Sequence, residues 1–276
     1  RKVENDLEKN RKKLAKQEAE LAATDNAEEF RQKGELLTTF LHQVPNDQDQ
    51  VVLDNYYTNE PITIQLNKAL TPNQNAQRYF KRYQKLKEAV KHLTILIQET
   101  KETISYLETV ETALSQASLA EVAEIREELI QTGFIKRRNR EKIHKRKKPK
   151  KYLASDGKTI ILVGRNNLQN DELTFKIAKK DELWFHAKDI PGSHVVITGN
   201  LNPSDEVKTD AAELAAYYSK ARFSNLVQVD MIEAKKLNKP TGGKPGFVTY
   251  TGQKTLRVTP EEEKIKAMKL EDWFQK

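Results

Sequence analysis

The feature that most constrains the fold is a pair of stretches in which apolar residues recur at alternating spacings of three and four. One begins at Val3, and the other runs from Leu86 to Leu107. This spacing is typical of coiled coils, because it places one apolar stripe along each helix. Polar residues interrupt both stripes, so each helix needs a partner. We expect an antiparallel coiled-coil arm in which residues 3–44 run out and residues 73–114 return, either as a structural spacer or touching a large partner.

A polar segment with two short apolar runs connects the stripes. Residues 51–53 and 62–66 are rich in Val, Ile and Leu and are bounded by turn-forming residues, which predicts a small β-hairpin. After the returning helix, Ser118 provides an N-cap and Gly133 a stop signal. These two residues predict a shorter helix over 119–131.

The start of the returning helix combines aromatic and basic residues. Tyr79, Phe80 and Tyr83 recur at helical spacing, and we expect them to pack against the preceding hairpin. The basic residues make the outer surface cationic, so it could meet phosphate. They are Arg78, Lys81, Arg82, Lys85 and Lys87.

Positive charge is concentrated in one short segment. From residue 136 to 151 there are eleven Lys or Arg and one Glu, so this segment carries +10 (11 − 1), against +8 for the whole chain. One interpretation is a solvated, extended linker. The other is a phosphate-binding segment, which we favour over membrane binding because no adjacent amphipathic helix offers an apolar face. The RNA-binding candidates here are Arg137, Arg138, Arg140, Lys147 and Lys148.

From residue 152 onward, the pattern changes to short β-type runs around one principal helix over 206–221. This predicts an α+β chain, with the arm followed by a compact mixed α/β domain. The expected strands are 159–163, 173–178, 183–187, 195–197 and 226–232, then a hairpin of 247–250 and 255–258. The predicted boundaries are 1–135 for the arm, 136–151 for the basic linker, 152–260 for the compact domain and 261–276 for a tail helix.

Composition and spacing argue against several kinds of chemistry. The sequence has no cysteine, which excludes disulfides and thiolate chemistry and fits a reducing compartment. No apolar run approaches the roughly 18 residues of a transmembrane helix, and no signal peptide is evident. The spacing of His186 and His194 matches no compact metal motif, and residues 164–167 lack the glycine repeat of a phosphate-binding loop. We therefore expect a binding protein without a cofactor, and not an enzyme.

Residues 156–194 combine strand-like apolar runs with a high density of Asn, His and Gly. Buried amides and imidazoles need partners, so we expect a recognition surface here. Trp184 either stacks on an unpaired base or belongs to the core, and His186 and His194 either contact RNA or satisfy buried backbone groups. We expect residues 242–246 to form a mobile loop. The RNA-binding candidates are Arg165, Asn166, Asn167, Trp184, His186, Lys188, His194, Lys220 and Lys244.

Several motifs together resemble a known family. The segments DGKTIILVGRNNLQND, DELWFHAKDIPGSHVVI, AAELAAYYSKAR and KPGFVTY are similar to the NFACT-R domain. The segments NAQRYFKRYQKLK and EIREELIQTGF are similar to the middle coiled-coil region of the same family. The chain thus resembles the C-terminal half of the bacterial RqcH, or fibronectin-binding protein A-like, family. Because the chain opens inside a helical pattern at Arg1, we expect it to be a fragment.

This resemblance implies a role in ribosome-associated quality control. Family members bind stalled large ribosomal subunits and tRNA and support C-terminal alanine tailing, so the implied partners are the large subunit, tRNA and ribosomal RNA in the cytoplasm. The family's N-terminal domain is absent from this sequence, so we do not expect the fragment to sustain tailing alone. The family also includes proteins described as anchorless surface adhesins for fibronectin or fibrinogen, which leaves that alternative open. Neither role implies membrane insertion.

Overall fold

The computed structural model describes residues 1–137 and 147–270, in two compact units. One unit comprises Arg1–Glu8 and Glu102–Lys276, and the other comprises Lys9–Lys101. The helices are α1 (Lys2–Ala22), α2 (Ala27–Thr39), α3 (Pro72–Ser115), α4 (Leu119–Gln131), α5 (Asn167–Glu172), α6 (Asp205–Tyr217) and α7 (Glu262–Met268). The strands are β1 (Gln50–Asn55), β2 (Glu60–Gln65), β3 (Lys150–Leu153), β4 (Ile160–Val163), β5 (Leu183–Ala187), β6 (Val195–Thr198), β7 (Val227–Glu233) and β8 (Lys254–Val258).

In the unit Lys9–Lys101, β1 and β2 form the predicted hairpin, with Val51 opposite Ile64. Alternate side chains of β1 are buried, as expected for a strand with one face on a core. This core joins the hairpin to α2 and to the start of α3. Its buried members are Leu36, Leu37, Val44, Val51, Leu53, Ile64, Leu66 and Ala76, with Tyr79 and Phe80 packed against them.

Helices α1 and α3 run antiparallel, as expected for two striped helices of one chain that are joined by a compact connector. Val3, near the start of α1, packs in one cluster with Leu107, near the end of α3. Glu18, later in α1, pairs with Lys101, earlier in α3, at 3.1 Å. The α+β fold class and the helical arm are thereby confirmed.

A six-stranded antiparallel sheet in the order β3-β4-β6-β5-β7-β8 forms the centre of the compact domain. Helix α6 covers one face, where the buried side chains include Ile161, Phe185, Val195, Leu214 and Val229. The buried side chains of a second cluster are Leu162, Leu173, Trp184, Val196, Ile232 and Leu237. Because successive side chains of a strand point to opposite faces, neighbours such as Trp184 and Phe185 serve different cores.

The strand predicted at 173–178 is wrong. Residues Leu173–Ile177 continue α5 as a π-helical turn. The alternation of apolar and polar residues in this segment mimics a strand, but the buried positions are the neighbours Leu173 and Thr174, while Phe175 is exposed. Adjacent buried positions fit a helical turn that lays one side on the sheet.

The ends of three other predicted elements also differ. Residues 247–250 do not pair with β8: Thr249 forms an isolated bridge with Asn238, and β8 pairs with β7. Helix α6 ends at Tyr217, and not at 221, because the next residues turn back: the N–H of Lys220 donates to the carbonyl of Pro191 at 2.8 Å. The last residues of the predicted linker form strand β3 at the sheet edge.

Candidate RNA-binding surface

The acidic face of α4 comprises Glu121, Glu124, Glu127 and Glu128, and all four residues are buried. Carboxylates are almost never buried without partners, so this face identifies an internal contact. Ser118 begins the helix with a capping box, in which its hydroxyl and the Glu121 carboxylate exchange hydrogen bonds with the two backbone N–H groups. The local sequence therefore fixes the helix start that directs these carboxylates.

Arg165 is one partner of this acidic face. Its Nη1 lies 2.9 Å from Oε1 of Glu121, and its Nε donates to the carbonyl of Lys148 at 2.9 Å. Lys150 also pairs with Glu121, at 3.0 Å. Burial opposes ionisation of Glu121, but the backbone hydrogen bond at Ser118 and the charge of Lys150 lower its pKa to about 2. The side chain of Arg165 is only 9% exposed, so it is committed within the protein.

Asn167 is also engaged by the acidic face. Its Nδ2 donates to Oε1 of Glu128 at 3.0 Å, and the N–H of Leu168 donates to the other carboxylate oxygen at 3.3 Å. The hydroxyl of Tyr106, in α3, donates to Glu128 at 2.8 Å. Burial raises the pKa of Glu128, although the hydrogen bonds from Tyr106 and Asn167 oppose the rise. Asn167 thus connects α4 to the compact domain, and because the residue is only 2% exposed its amide is not accessible to a base edge.

Asn166 has a structural role in the same turn. It is the N-cap of α5, and its Oδ1 accepts a hydrogen bond from the N–H of Gln169 at 2.9 Å. The Gln169 side chain in turn accepts from the N–H of Arg165 at 2.8 Å and donates to the carbonyl of Lys147. The amides of Asn166 and Gln169 therefore form hydrogen bonds with nearby backbone groups.

Trp184 and the two candidate histidines form a polar cluster inside the domain. Trp184 is 0% exposed, and its Nε1 donates to the hydroxyl of Thr174 at 3.1 Å. The same hydroxyl lies 2.7 Å from Nδ1 of His194. The His186 ring stacks on Trp184 with centroids 5.7 Å apart, and burial lowers the pKa of His186 to about 4. The buried positions of Trp184 and His194 remove both from the candidate surface, since neither has a face that a base could reach.

The remaining candidates from the basic linker differ in availability. Lys147 and Lys148 are exposed, and their backbone carbonyls fix them beside residues 165–169. Arg137 forms an ion pair with Glu127 of the acidic face. Arg138 and Arg140 lie outside the described residues. Lys147 and Lys148 are therefore the part of this set that the structure offers to a phosphate backbone.

Lys188 and Lys244 lie on separate parts of the domain. Lys188 is half-buried, and its N–H donates to the carbonyl of Gln228 at 2.9 Å. Lys244 is also half-buried, with its ammonium group 5.8 Å from the centroid of the Phe134 ring. Its loop, predicted to be mobile, is anchored where the N–H of Gly246 donates to Asp171 at 2.9 Å.

Lys220 lies in a groove that sequence reasoning did not identify. This Phe223 groove has a volume of about 340 Å³. It lies between the end of α3 and the turn that follows α6, and its lining includes Ser115, Gln116, Ser219, Lys220, Arg222 and Phe223. The Nε2 of Gln116 reaches the carbonyls of Tyr217 and Ser219 at 3.4 and 3.3 Å, which ties the two walls together.

Phe223 is 88% exposed, which is unusual for a large apolar side chain. Arg222 lies beside it, with its guanidinium 5.5 Å from the Phe223 ring centroid and 3.9 Å from that of Tyr217. Arg222 also contacts Glu262 at 3.3 Å. An exposed ring beside cations can stack on an unpaired base while the cations meet phosphates. The only sequence signal was an aromatic residue directly after a basic turn, at 220–223.

Comparisons with known proteins identify the family. Residues 1–148 match the NFACT N-terminal and middle domains, and residues 148–252 match the NFACT protein RNA binding domain. The chain belongs to the NFACT family. The Phe223 groove and the buried cluster around Trp184 both involve residues of the NFACT RNA-binding match, whereas α1 to α4 fall in the other match.

Curated NFACT relatives extend well beyond this chain. It is 82% identical over 269 residues to the Rqc2 homolog RqcH of Streptococcus pneumoniae, covering 98% of this chain and 49% of the relative. It is 42% identical over 274 residues to the Rqc2 homolog RqcH of Bacillus subtilis, covering 97% and 48%. The chain thus spans about half the length of the curated relatives it matches.

A solved structure shares the NFACT fold seen here. It is the C-terminal part of the fibronectin/fibrinogen-binding protein from Streptococcus suis, with a TM-score of 0.82 and 71% identity, covering 98% of this chain and 95% of that one. Within residues 1–137 and 147–270, no helix combines the length and apolar character needed to cross a membrane. The same residues contain no cluster of three or more His, Asp or Glu arranged to hold a metal ion.

Proposed function

We propose that this chain is the RNA- and ribosome-binding part of a ribosome-associated quality-control factor. The observation that supports this best is the Phe223 groove, an exposed ring with two adjacent cations in a chain whose residues 148–252 match an RNA-binding domain. The names of its relatives support the cellular role. In this proposal the chain binds in the cytoplasm and does not catalyse.

Charge and base stacking would both contribute to RNA binding at this surface. Exposed Lys147, Lys148 and Lys220 would meet phosphates, which supplies salt-dependent affinity without sequence preference. Phe223 would stack on an unpaired base, and RNA exposes such bases in loops and at ends. The partners in this proposal are stalled large ribosomal subunits, through ribosomal RNA, and tRNA. The chain would contribute binding to alanine tailing by the longer protein.

The test is the binding of a fluorescent single-stranded RNA and of tRNA to the 276-residue chain. Phe223→Ala should weaken binding by about 5- to 150-fold, because loss of one stacked base costs about 1–3 kcal/mol. Leu201→Ala is a matched control, since Leu201 is 58% exposed in a separate turn and its removal should leave affinity unchanged. Equal affinities for Phe223→Ala and the unmodified chain would exclude the groove as the RNA site.

A second candidate function is binding of fibronectin or fibrinogen. The similarity to a Streptococcus suis protein named for that binding favours it. Immobilised fibronectin should then capture the chain at physiological salt and retain it when the salt is raised several-fold. Capture that disappears at moderate salt would identify attraction by the basic linker alone, because exposed charges more than a Debye length apart are screened.

A further inference from the structure

The cationic face of α3 comprises Arg78, Lys81, Arg82 and Lys85, which belong to the unit Lys9–Lys101. Their spacing of three, one and three residues places all four on one side of the helix. All four are exposed. Together with Phe30 of α2 and Tyr79, they line a groove of about 440 Å³.

These cations differ from several others in the same unit. Those others are paired with nearby carboxylates: Lys33 with Glu29, Arg31 with Glu28 and Glu35, and Lys91 with Glu88. Within the part of the chain that the structure describes, no member of the cationic face forms an ion pair. Like charges three and four residues apart repel and destabilise a helix. A ligand of opposite charge would relieve this repulsion.

The aromatic floor of the groove holds one of the cations in place. The Arg82 guanidinium lies 5.7 Å from the centroid of the Phe30 ring, and the Phe30 ring lies 6.0 Å from that of Tyr79. The Tyr79 hydroxyl donates to the carbonyl of Gln65 at 2.7 Å, which fixes the floor to the hairpin. A guanidinium held by a ring face is ordered before a ligand arrives, so less conformational entropy is lost on binding.

We infer that the cationic face of α3 binds the phosphate backbone of an RNA strand. The eight residues from 78 to 85 extend about 10 Å along the helix axis, the length of about three phosphates of one strand in a duplex. Guanidinium groups suit phosphate oxygens because both can form two parallel hydrogen bonds. An acidic protein is the weaker match: protein interfaces centre on buried aromatic anchors and are depleted of charge there, whereas Phe30 and Tyr79 are already packed.

This site is separate from the Phe223 groove. It lies outside residues 148–252, which match the RNA-binding domain, and it uses no residue of that groove. Each site can therefore fail without the other, and the two sets of substitutions can be measured singly and together in the whole chain.

The experiment compares two variants with the same loss of charge in the same unit. One replaces the cationic face (Arg78→Gln, Lys81→Gln, Arg82→Gln and Lys85→Gln). The control replaces four exposed lysines elsewhere (Lys9→Gln, Lys13→Gln, Lys16→Gln and Lys91→Gln). The probe is a fluorescent 20-nucleotide oligouridylate, titrated across a salt series. Far-UV circular dichroism confirms that both variants keep their helices.

The cationic-face variant should bind at least tenfold more weakly at about 100 mM salt, and its salt dependence should fall by about 2 in slope, near 0.7 for each of about three lost phosphate contacts. The control should stay within about twofold of the unmodified chain. Arg78→Lys with Arg82→Lys should keep the slope but bind more weakly, because lysine lacks the planar fork. Equal losses in both quadruple variants, or none in either, would overturn the inference. So would a cationic-face defect seen for polyglutamate but not for RNA, which would identify an acidic protein instead.

Discussion

Two regions of this protein are rich in the residue types that bind RNA, and they use those residues in opposite ways. In residues 165–194, the Arg, Asn, Trp and His side chains are buried or half-buried, and those of Arg165, Asn167 and Trp184 have partners in the same chain: Glu121, Glu128 and Thr174. On the cationic face of α3, arginines and lysines are exposed and have no carboxylate partner among the described residues. The residue type alone therefore does not identify a binding site. What identifies it is whether the side chain already has a partner within the protein.

The largest expected effect is the loss of stability when the buried Glu128 carboxylate is removed. Glu128→Ala leaves Asn167 and the N–H of Leu168 without this acceptor in a buried place, and it leaves the Tyr106 hydroxyl with only the Thr132 hydroxyl, at 3.2 Å. The free energy of unfolding, measured by urea denaturation, should fall by about 3 kcal/mol. Glu263→Ala, in an exposed part of α7, should change it by less than about 0.5 kcal/mol. A Glu128→Ala chain as stable as its control would contradict the role of the acidic face.

A second test uses the pH dependence of stability at His186. Its folded pKa of about 4 lies below the ordinary 6.5, so between these values the unfolded chain binds the proton and the folded chain does not. Stability should therefore be fully present above pH 6.5 and fall as the pH drops towards 4, by up to roughly 1.4 kcal/mol per unit.

The test compares the pH dependence of the free energy of unfolding between variants. The unmodified chain alone is not enough, because buried carboxyls with raised pKa values, such as Glu128, change stability with pH in the opposite direction. His186→Gln should flatten the dependence between pH 6.5 and 4, as followed by urea denaturation at each pH. His92→Gln should not, because His92 is exposed. Parallel curves for His186→Gln and the unmodified chain would show that His186 is not enclosed.

A substitution at Arg165 distinguishes an effect on stability from an effect on RNA affinity. Arg165→Ala leaves the buried Glu121 with Lys150 as its remaining cation, so the free energy of unfolding should fall by about 2 kcal/mol. RNA affinity of the folded chain should change by less than twofold, because the side chain is 9% exposed and faces α4. A large loss of RNA affinity without a loss of stability would return Arg165 to the binding surface.

The smallest effect is expected at one exposed lysine. Lys220→Gln should lower the salt dependence of RNA binding by about 0.7 in slope, as expected for one phosphate contact, with no change in stability. Lys158→Gln, at an exposed turn, is the matched control. Equal slopes for these two variants would remove Lys220 from the phosphate contacts.

Local signals predicted much of the fold. Helix α4 spans the predicted residues 119–131 because a capping serine precedes it and a glycine at positive φ follows it. The stripes of α1 and α3 and the alternation of apolar and polar residues in β2 were also evident in the sequence. The π-helical turn at Leu173–Ile177 was missed because its apolar residues alternate as in a strand, while its burial depends on packing against the sheet.

The candidate site was harder to predict, for a physical reason. A dense group of amides and imidazoles shows that partners exist, but not whether the partner is RNA or a carboxylate about 40 residues earlier in the chain, as Glu128 is for Asn167. Phe223 was missed because one aromatic residue in a turn has no periodicity, and its exposure depends on the tertiary fold. The tertiary contacts of a side chain, and not the composition of its segment, therefore determine whether it is available to RNA.

We propose that RNA contacts the exposed surfaces and not residues 165–194. Photocrosslinking of the 276-residue chain to a 4-thiouridine-substituted RNA, with the attachment sites mapped by mass spectrometry, tests it most directly. Crosslinks are expected at Phe223 and its neighbours, with further crosslinks among residues 78–85. Crosslinks concentrated at Arg165, Trp184 or His194, with none at Phe223, would contradict it.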